Sequence, residues 1–268
     1  MKITMLGCGT SVGVPSLGIL GWGKCNPDNP KNRRQRSSVL VQENGYNILI
    51  DAGPDIRNQL LDAKIEKIDA VLITHTHSDH VSGLAELRPF FFGKREIIPI
   101  FSNKNSISII STRYDFLFDK QPSSPSYYTP PMSLNEIKEG NIKFFGFDLD
   151  IFNQGHGSIN SLGFKFNNKF AYSTDVVYMP EKNFKLLEDL DLWIVEGLRD
   201  DPHEAHAHFD LTFEWISRVA PKKSILTHLG HVDYDYVLSI CPKNVYPGYD
   251  GMTFELWYCH NIYYATLY

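Results

Sequence analysis

The segment His75-Thr76-His77-Ser78-Asp79-His80 constrains this chain more than any other. It follows directly on residues 70–74, a continuous apolar run that reads as a buried strand. Residues two apart in an extended stretch point the same way, so His75, His77 and Asp79 face one cavity. His80 joins them where the chain turns into the helical pattern at 81–87. Imidazole and carboxylate are the usual ligands of zinc, manganese and iron. Three histidines and an aspartate within six residues therefore read as a metal-binding loop rather than a solvated polar one. One loop cannot complete two metal shells, so further ligands have to come from the ends of other strands. His156 within Gly155-His156-Gly157, Asp175 after the strand at 170–173, and His228 after the strand at 224–226 stand where such ligands are expected.

The rest of the chain suits an α/β fold. It has 268 residues, 43% hydrophobic and 21% charged, enough to bury a substantial core and too apolar for a disordered chain. A single domain, 1–268, is expected. The net charge of −5 leaves no positive excess, so no stable hold on nucleic acid is expected. No apolar run reaches membrane-spanning length and the start runs straight into a strand, which predicts neither signal peptide nor anchor and a cytoplasmic location. Cys8, Cys25, Cys241 and Cys259 form no CxxC pair and read as reduced thiols.

Residues 2–6 read as a strand that runs into a Gly-rich turn at 7–13. A long loop at 16–36 ends in Lys31, Arg33, Arg34 and Arg36. Asn44-Gly45 between apolar runs signals a hairpin of 39–42 with 46–50. Helices are expected at 56–61, 107–118 and 181–188, and along the stripe Leu211, Trp215, Ile216 and Val219. Further strands are expected at 98–101, 142–152, 163–166, 192–195 and 252–256, and an irregular Pro/Ser/Tyr-rich loop at 119–131.

The HxHxDH string, with Asp51-Ala52-Gly53 before it and His156, Asp175 and His228 after it, resembles the metallo-β-lactamase fold superfamily. Residues 7–15, 26–38, Pro202-His203-Glu204-Ala205-His206 and Tyr249-Asp250-Gly251-Met252 resemble its phosphoribosyl cyclic phosphodiesterase (PhnP-like) branch. The resemblance extends to about residue 256; residues 257–268 lie beyond it and read as an added strand or a subunit contact. It implies a four-layer αββα sandwich, two mixed β-sheets flanked by helices, with the site at one edge. It also implies two divalent metal ions, zinc or manganese with iron a further option. One would take His75, His77 and His156, the other Asp79, His80 and His228, and Asp175 would bridge them. Asp51 would hold the histidine loop in place and is counted, with Asp79 and His206, among the catalytic residues. The branch's structural zinc is not expected, because the corresponding loop keeps only Cys25, with His231 at the partner position.

Two such metals share a hydroxide and lower its pKa toward roughly 7, giving a nucleophile without Ser or Cys. A phosphodiester suits that arrangement. His206 is the candidate general acid or phosphate clamp, and His203, His208, Arg34 and Tyr128 are candidate substrate contacts. The expected function is therefore a metal-dependent phosphodiesterase acting on a small nucleotide or ribosyl cyclic phosphate, with a homodimer as the default assembly. The alternatives are a thioester or lactam hydrolase on the same fold, and a transfer-RNA 3′-processing nuclease. The nuclease would want a protruding basic arm that the sequence lacks. A diiron redox role would want a glutamate where Ser78 stands. A non-catalytic binding module would have no need of a complete ligand set.

Overall fold

The computed structural model describes residues 1–120 and 124–256. The expected subunit contact or added strand at 257–268 lies outside those residues. The apolar runs form two seven-stranded sheets. The first places β1 (Lys2–Gly7), β2 (Ser38–Glu43), β3 (Tyr46–Ile50), β4 (Ala70–Leu72), β5 (Ile98–Ser102) and β6 (Met132–Glu136) side by side in chain order. The second does the same with β7 (Gly140–Phe144), β8 (Phe147–His156), β9 (Ile159–Phe166), β10 (Phe170–Ser173), β11 (Leu192–Glu196), β12 (Ser224–Thr227) and β13 (Val245–Pro247). Strand β14 (Thr253–Glu255) then returns to the first sheet, antiparallel to β1.

The period-two rule explains why these strands stack as layers. Val39 and Val41 of β2, Ile48 and Ile50 of β3, and Leu72 of β4 point inward, where they meet Leu149, Ile151, Tyr172, Ile194 and Ile225 of the second sheet. Their neighbours Leu40, Leu49 and Val71 point outward, under α1 (Ile56–Asp62), α2 (Ser78–Val81), α3 (Arg88–Lys94), α4 (Lys104–Arg113) and α5 (Asp115–Phe118). On the other side Ala171, Trp193, Val195 and Leu226 lie under α6 (Glu181–Leu186), α7 (Phe209–Val219) and α8 (Tyr234–Ile240). Both faces of each sheet are thus covered, which gives the αββα sandwich. No helix among the described residues is long and apolar enough to cross a membrane.

Strand direction decides where the site forms. β10, β11 and β12 are parallel, so their carboxyl ends share one edge. β8 is antiparallel to β9, and β9 to β10, which brings the end of β8 to the same edge. In the first sheet β1 is antiparallel to β2 and β2 to β3, while β3 and β4 are parallel, so their ends line up likewise. Loops at the carboxyl ends of such strands are where open α/β sheets bind ligands.

The structure departs from the sequence reading at several elements. The run at 142–152 is a hairpin, not one strand: Phe145 (φ 48) and Gly146 (φ 83) make a left-handed two-residue turn. An apolar residue in the turn hid it. The helix expected at 81–87 begins at Ser78 and breaks at Gly83 before a 3-10 turn, Leu84–Leu87. A Cβ on Gly83 would lie 2.0 Å from the Gly53 carbonyl oxygen, and one on Gly53 would lie 2.0 Å from that of Asp79. These two glycines let the backbone after β3 seat directly against the histidine loop. The helix expected at 107–118 starts at Lys104 and is interrupted at Tyr114. β6, β13, α3 and α8 were not anticipated.

A candidate metal centre at the carboxyl edge of the two sheets

Asp51, Asp175 and His228 each stand just past a strand end with left-handed backbone, φ 62, 53 and 54. A non-glycine residue there carries strain of order 1 kcal/mol or more, a feature that clusters at functional sites. The turn swings each side chain into the cleft between the sheets. All three are at most 1% exposed.

Two four-membered groups of ligand atoms gather there, each within 4.8 Å of one another: His75, His77, His156 and Asp175, and Asp79, His80, Asp175 and His228; Glu196, His206 and His228 form a smaller one beside them. Asp175 belongs to both four-membered groups. Its carboxylate oxygens lie 3.7 Å from His75 Nε2, 3.1 Å from His80 Nε2, 3.6 Å from His156 Nε2 and 3.6 Å from His228 Nε2. His75 Nε2, His80 Nε2 and His228 Nε2 are nevertheless buried without a hydrogen bond. Nitrogens that crowd carboxylates yet bond to none converge on points between them, which is the arrangement of ligands around cations. The donor set fits a pair of divalent ions.

The far side of each ring fixes its tautomer. Asp51 is fully buried; Oδ2 accepts from His80 Nδ1 at 2.7 Å and from Thr74 Oγ1 at 2.8 Å, and Oδ1 accepts from the Thr74 amide at 2.8 Å. His75 Nδ1 lies 3.0 Å from Thr74 Oγ1, and His156 Nδ1 donates to the Ala205 carbonyl at 2.7 Å. These outward bonds leave the Nε2 lone pairs of His75, His80 and His156 for the cleft. Asp51, expected among the catalytic residues, belongs to none of the ligand groups and touches His80 and Thr74 from behind.

Electrostatics match the geometry. Burial opposes charge on Asp79 and Asp175, but the surrounding imidazoles hold both carboxyls well below the usual carboxylate range. Burial likewise opposes charge on His228, yet the Asp175 carboxylate, with Asp79 and Glu196, pushes its pKa up to about 10. Burial and neighbouring imidazoles push His75 and His77 down. Loading cations must displace the proton of His228, whereas Asp79 and Asp175 already stand as carboxylates and His75 and His77 as neutral rings.

Glu196, at the end of β11, went unnoticed in the sequence. It is fully buried, and Oε1 accepts from His206 Nδ1 at 2.5 Å and lies 3.1 Å from His228 Nδ1. Oε2 accepts from the Val176 amide. Burial raises its pKa, but His206 and His228 carry it below the ordinary value. The signal was present: an apolar strand, Leu192-Trp193-Ile194-Val195, ends in a lone acid, as the neighbouring strands end near Asp175 and His228.

His206 Nδ1 lies 3.9 Å from Asp175, and His206 lines a cavity of about 450 Å³ with His203, Thr10, Ser11, Lys24 and Arg199. The His203 and His206 rings are 4.9 Å apart. Three expected substrate contacts are not brought there. Arg34 is 1% exposed and its guanidinium donates to the Gly230 and Val232 carbonyls and to Asn32, so it braces the loop after His228. The Tyr128 hydroxyl donates to the Phe116 carbonyl on α5. His208 precedes α7 as its capping residue and belongs to none of the ligand groups. At the position of the branch's structural zinc, the Cys25 thiol lies 3.8 Å from Arg34 Nη1, and His231 packs so close to Gly23 that a Cβ there would be 2.6 Å from its own.

The comparisons agree with this picture. Residues 46–229 match the beta-lactamase superfamily domain. A crystal structure described as a new diphosphatase from the PhnP family superposes with a TM-score of 0.85 at 28% identity, covering 94% of this chain and 95% of that one. An octanoyltransferase of Porphyromonas gingivalis is 32% identical over 94% of this chain, and a ribonuclease Z of Thermococcus onnurineus 27% identical over 57% of it. The chain spans about half the length of these two proteins, 51% and 47%. By sequence, fold and ligand geometry together, the chain belongs to the metallo-β-lactamase superfamily, in its PhnP and ribonuclease Z-like branch.

Proposed function

We propose that the chain is a binuclear metal-dependent phosphodiesterase acting on a small nucleotide or ribosyl cyclic phosphate. Membership of this superfamily makes a metal-dependent hydrolase the starting point. The observation that carries the finer reading is His206, held by buried Glu196 beside Asp175, on the wall of a cavity of about 450 Å³. A thiolate leaves a thioester without a proton, whereas an alkoxide leaving a phosphodiester needs one at the departing oxygen, so a general acid favours the phosphodiester over the thioester.

His75, His77 and His156 would hold one cation, Asp79, His80 and His228 the other, with Asp175 common to both. Bound there, the cations supply charge stabilisation and a water of lowered pKa. The chain's own side chains do the rest. Glu196 holds His206 by Nδ1, so that Nε2 is the nitrogen that would deliver a proton to the leaving oxygen. Asp51 and the Ala205 carbonyl keep His80 and His156 turned toward the cleft. Lys24 and Arg199 stand on the cavity wall beside Asp200 and Asp201, so the two cations are available to a phosphate against two neighbouring carboxylates. The cavity suits a mononucleotide-sized substrate better than a folded RNA; apolar Val12, Leu20 and Leu198 share its wall with the charged groups, so the phosphoryl reading rests on His206 rather than on the lining.

The test is a metal-reconstituted assay of 2′,3′- and 3′,5′-cyclic nucleotides, a ribosyl cyclic phosphate and an octanoyl thioester side by side. Cyclic phosphate turnover that chelation abolishes is the expected result. Thioester cleavage without phosphodiester turnover would replace this reading with the acyl one, to which the octanoyltransferase relative is the pointer.

A further inference from the structure

The stretch Tyr249-Asp250-Gly251-Met252, singled out in the sequence, has no part in the chemistry above. It is the crossing between the sheets: the Gly248 amide donates to the Leu226 carbonyl at 2.9 Å, and the Gly251 amide to the Met5 carbonyl at 2.8 Å. In the middle of it, Asp250 turns its carboxylate onto two backbone amides. Oδ1 accepts from the Cys8 amide at 3.1 Å and lies 3.5 Å from the Cys8 thiol, and Oδ2 accepts from the Gln35 amide at 2.6 Å. Arg34 and the Cys8 thiol are the other ionisable groups acting on this carboxyl, which burial pushes up to about 7. Asp250 stands on the wall of a second cavity, of about 300 Å³, yet both of its carboxylate oxygens are turned onto backbone amides.

The bonds beyond Cys8 and Gln35 lead to the backbone beside His228. The Cys8 carbonyl accepts from the Leu229 amide at 2.8 Å, and the Thr10 amide donates to the Leu229 carbonyl at 3.1 Å. The Gly9 amide donates to the Gln35 carbonyl at 2.7 Å. Leu229 is the residue after His228, whose left-handed backbone holds its ring in the cleft. Thr10 and Ser11 line the cavity beside His206. We propose that Asp250 is a positioning residue for the His228 half of the metal centre: it clasps Cys8 and Gln35 together, and Cys8 in turn fixes the backbone next to His228. The other half, His75, His77 and His156, hangs from β4 and β8 and does not touch this clasp.

The inference rests on the metal-binding part of the reading above and not on the substrate. Manganese or zinc is titrated into the chelated full chain, its Asp250→Ala and Asp250→Asn variants, and His228→Ala, which identifies the binding step belonging to the His228 half. In Asp250→Ala that step is expected to weaken by about tenfold, the lower end of the effect of losing a group bonded directly to a ligand, while the other step stays unchanged. Asp250→Asn keeps one acceptor and falls between Ala and the unaltered chain. A core variant, Leu117→Ala, chosen to lower thermal stability comparably, is expected to leave both steps alone. Two unchanged steps in Asp250→Ala, or two steps weakened equally, would overturn the assignment. Two-step binding that loses its His228 step in Asp250→Ala would support it even if no phosphodiester were cleaved, so the two readings can fail separately. An unaltered chain that binds fewer than two cations would overturn the metal reading and this inference with it.

Discussion

Asp175→Ala is expected to lower phosphodiester turnover at least about 10³-fold, or ~4 kcal/mol of transition-state stabilisation, and to leave at most one cation bound. No other side chain belongs to both four-membered ligand groups. The variant also removes the anion that four ligating imidazoles and His206 surround at 3.1–3.9 Å. A pH dependence follows from that loss. In chelated protein the depressed carboxyls of Asp79 and Asp175 stabilise the fold above the ordinary carboxylate pKa of about 4, and this contribution disappears as pH falls below it. The raised His228 stabilises it fully below about 6.5 and loses that contribution as pH climbs toward about 10. These contributions are together complete between about pH 4 and 6.5, against the opposing shifts of His75, His77 and Asp250. Asp175→Ala flattens this profile on both sides, which thermal denaturation across pH reads directly. A sharp profile retained in the variant would show that Asp175 is not the hub of the charge network.

His206→Ala separates proton delivery from the rest of the chemistry. With a cyclic ribosyl phosphate, whose leaving group is an alkoxide, its loss is expected to cost about 10²- to 10⁴-fold in kcat, the usual range for a general acid. With bis-(p-nitrophenyl) phosphate, whose leaving group departs without a proton, the cost shrinks to less than about tenfold. Glu196→Gln follows the same split in milder form, because the ring stays while its orienting carboxylate is lost. Equal losses on both substrates would instead make His206 a binding group. The pair is placed for the acid role because Glu196 occupies Nδ1 and leaves Nε2 as the nitrogen that can face the cavity.

Much of this centre was legible before any fold was known, because its residues carry chemistry at fixed spacing. His75, His77, Asp79 and His80 announce themselves by density, and His156, Asp175 and His228 by standing at strand ends. Glu196 escaped because one acid after an apolar strand is also what a strand reaching solvent looks like; only the parallel alignment of β10, β11 and β12 turns it inward. Arg34 misled in the opposite sense. A basic run suggests phosphate binding, yet only Arg34 of that run lies fully buried, tied to carbonyls of the loop that follows His228. Nothing in composition separates a guanidinium that grips a substrate from one that grips backbone. The layers of the sandwich were implied by the family resemblance, since Val39-Leu40-Val41 and Ile48-Leu49-Ile50 are apolar on both faces and show no alternation, and the turn at Phe145-Gly146 was masked by apolar residues on both sides. Asp250 shows the same limit, since its partners Cys8 and Gln35 are 242 and 215 residues away.

The central claim is that side chains from both sheets enclose a pair of cations. Anomalous diffraction from crystals grown with manganese tests it most directly. The account predicts two peaks about 3.5–4 Å apart. One should be held by His75, His77 and His156 and the other by Asp79, His80 and His228, with Asp175 touching both. Peaks elsewhere on the molecule, or a single ion that leaves one of these histidine sets unengaged, would contradict it.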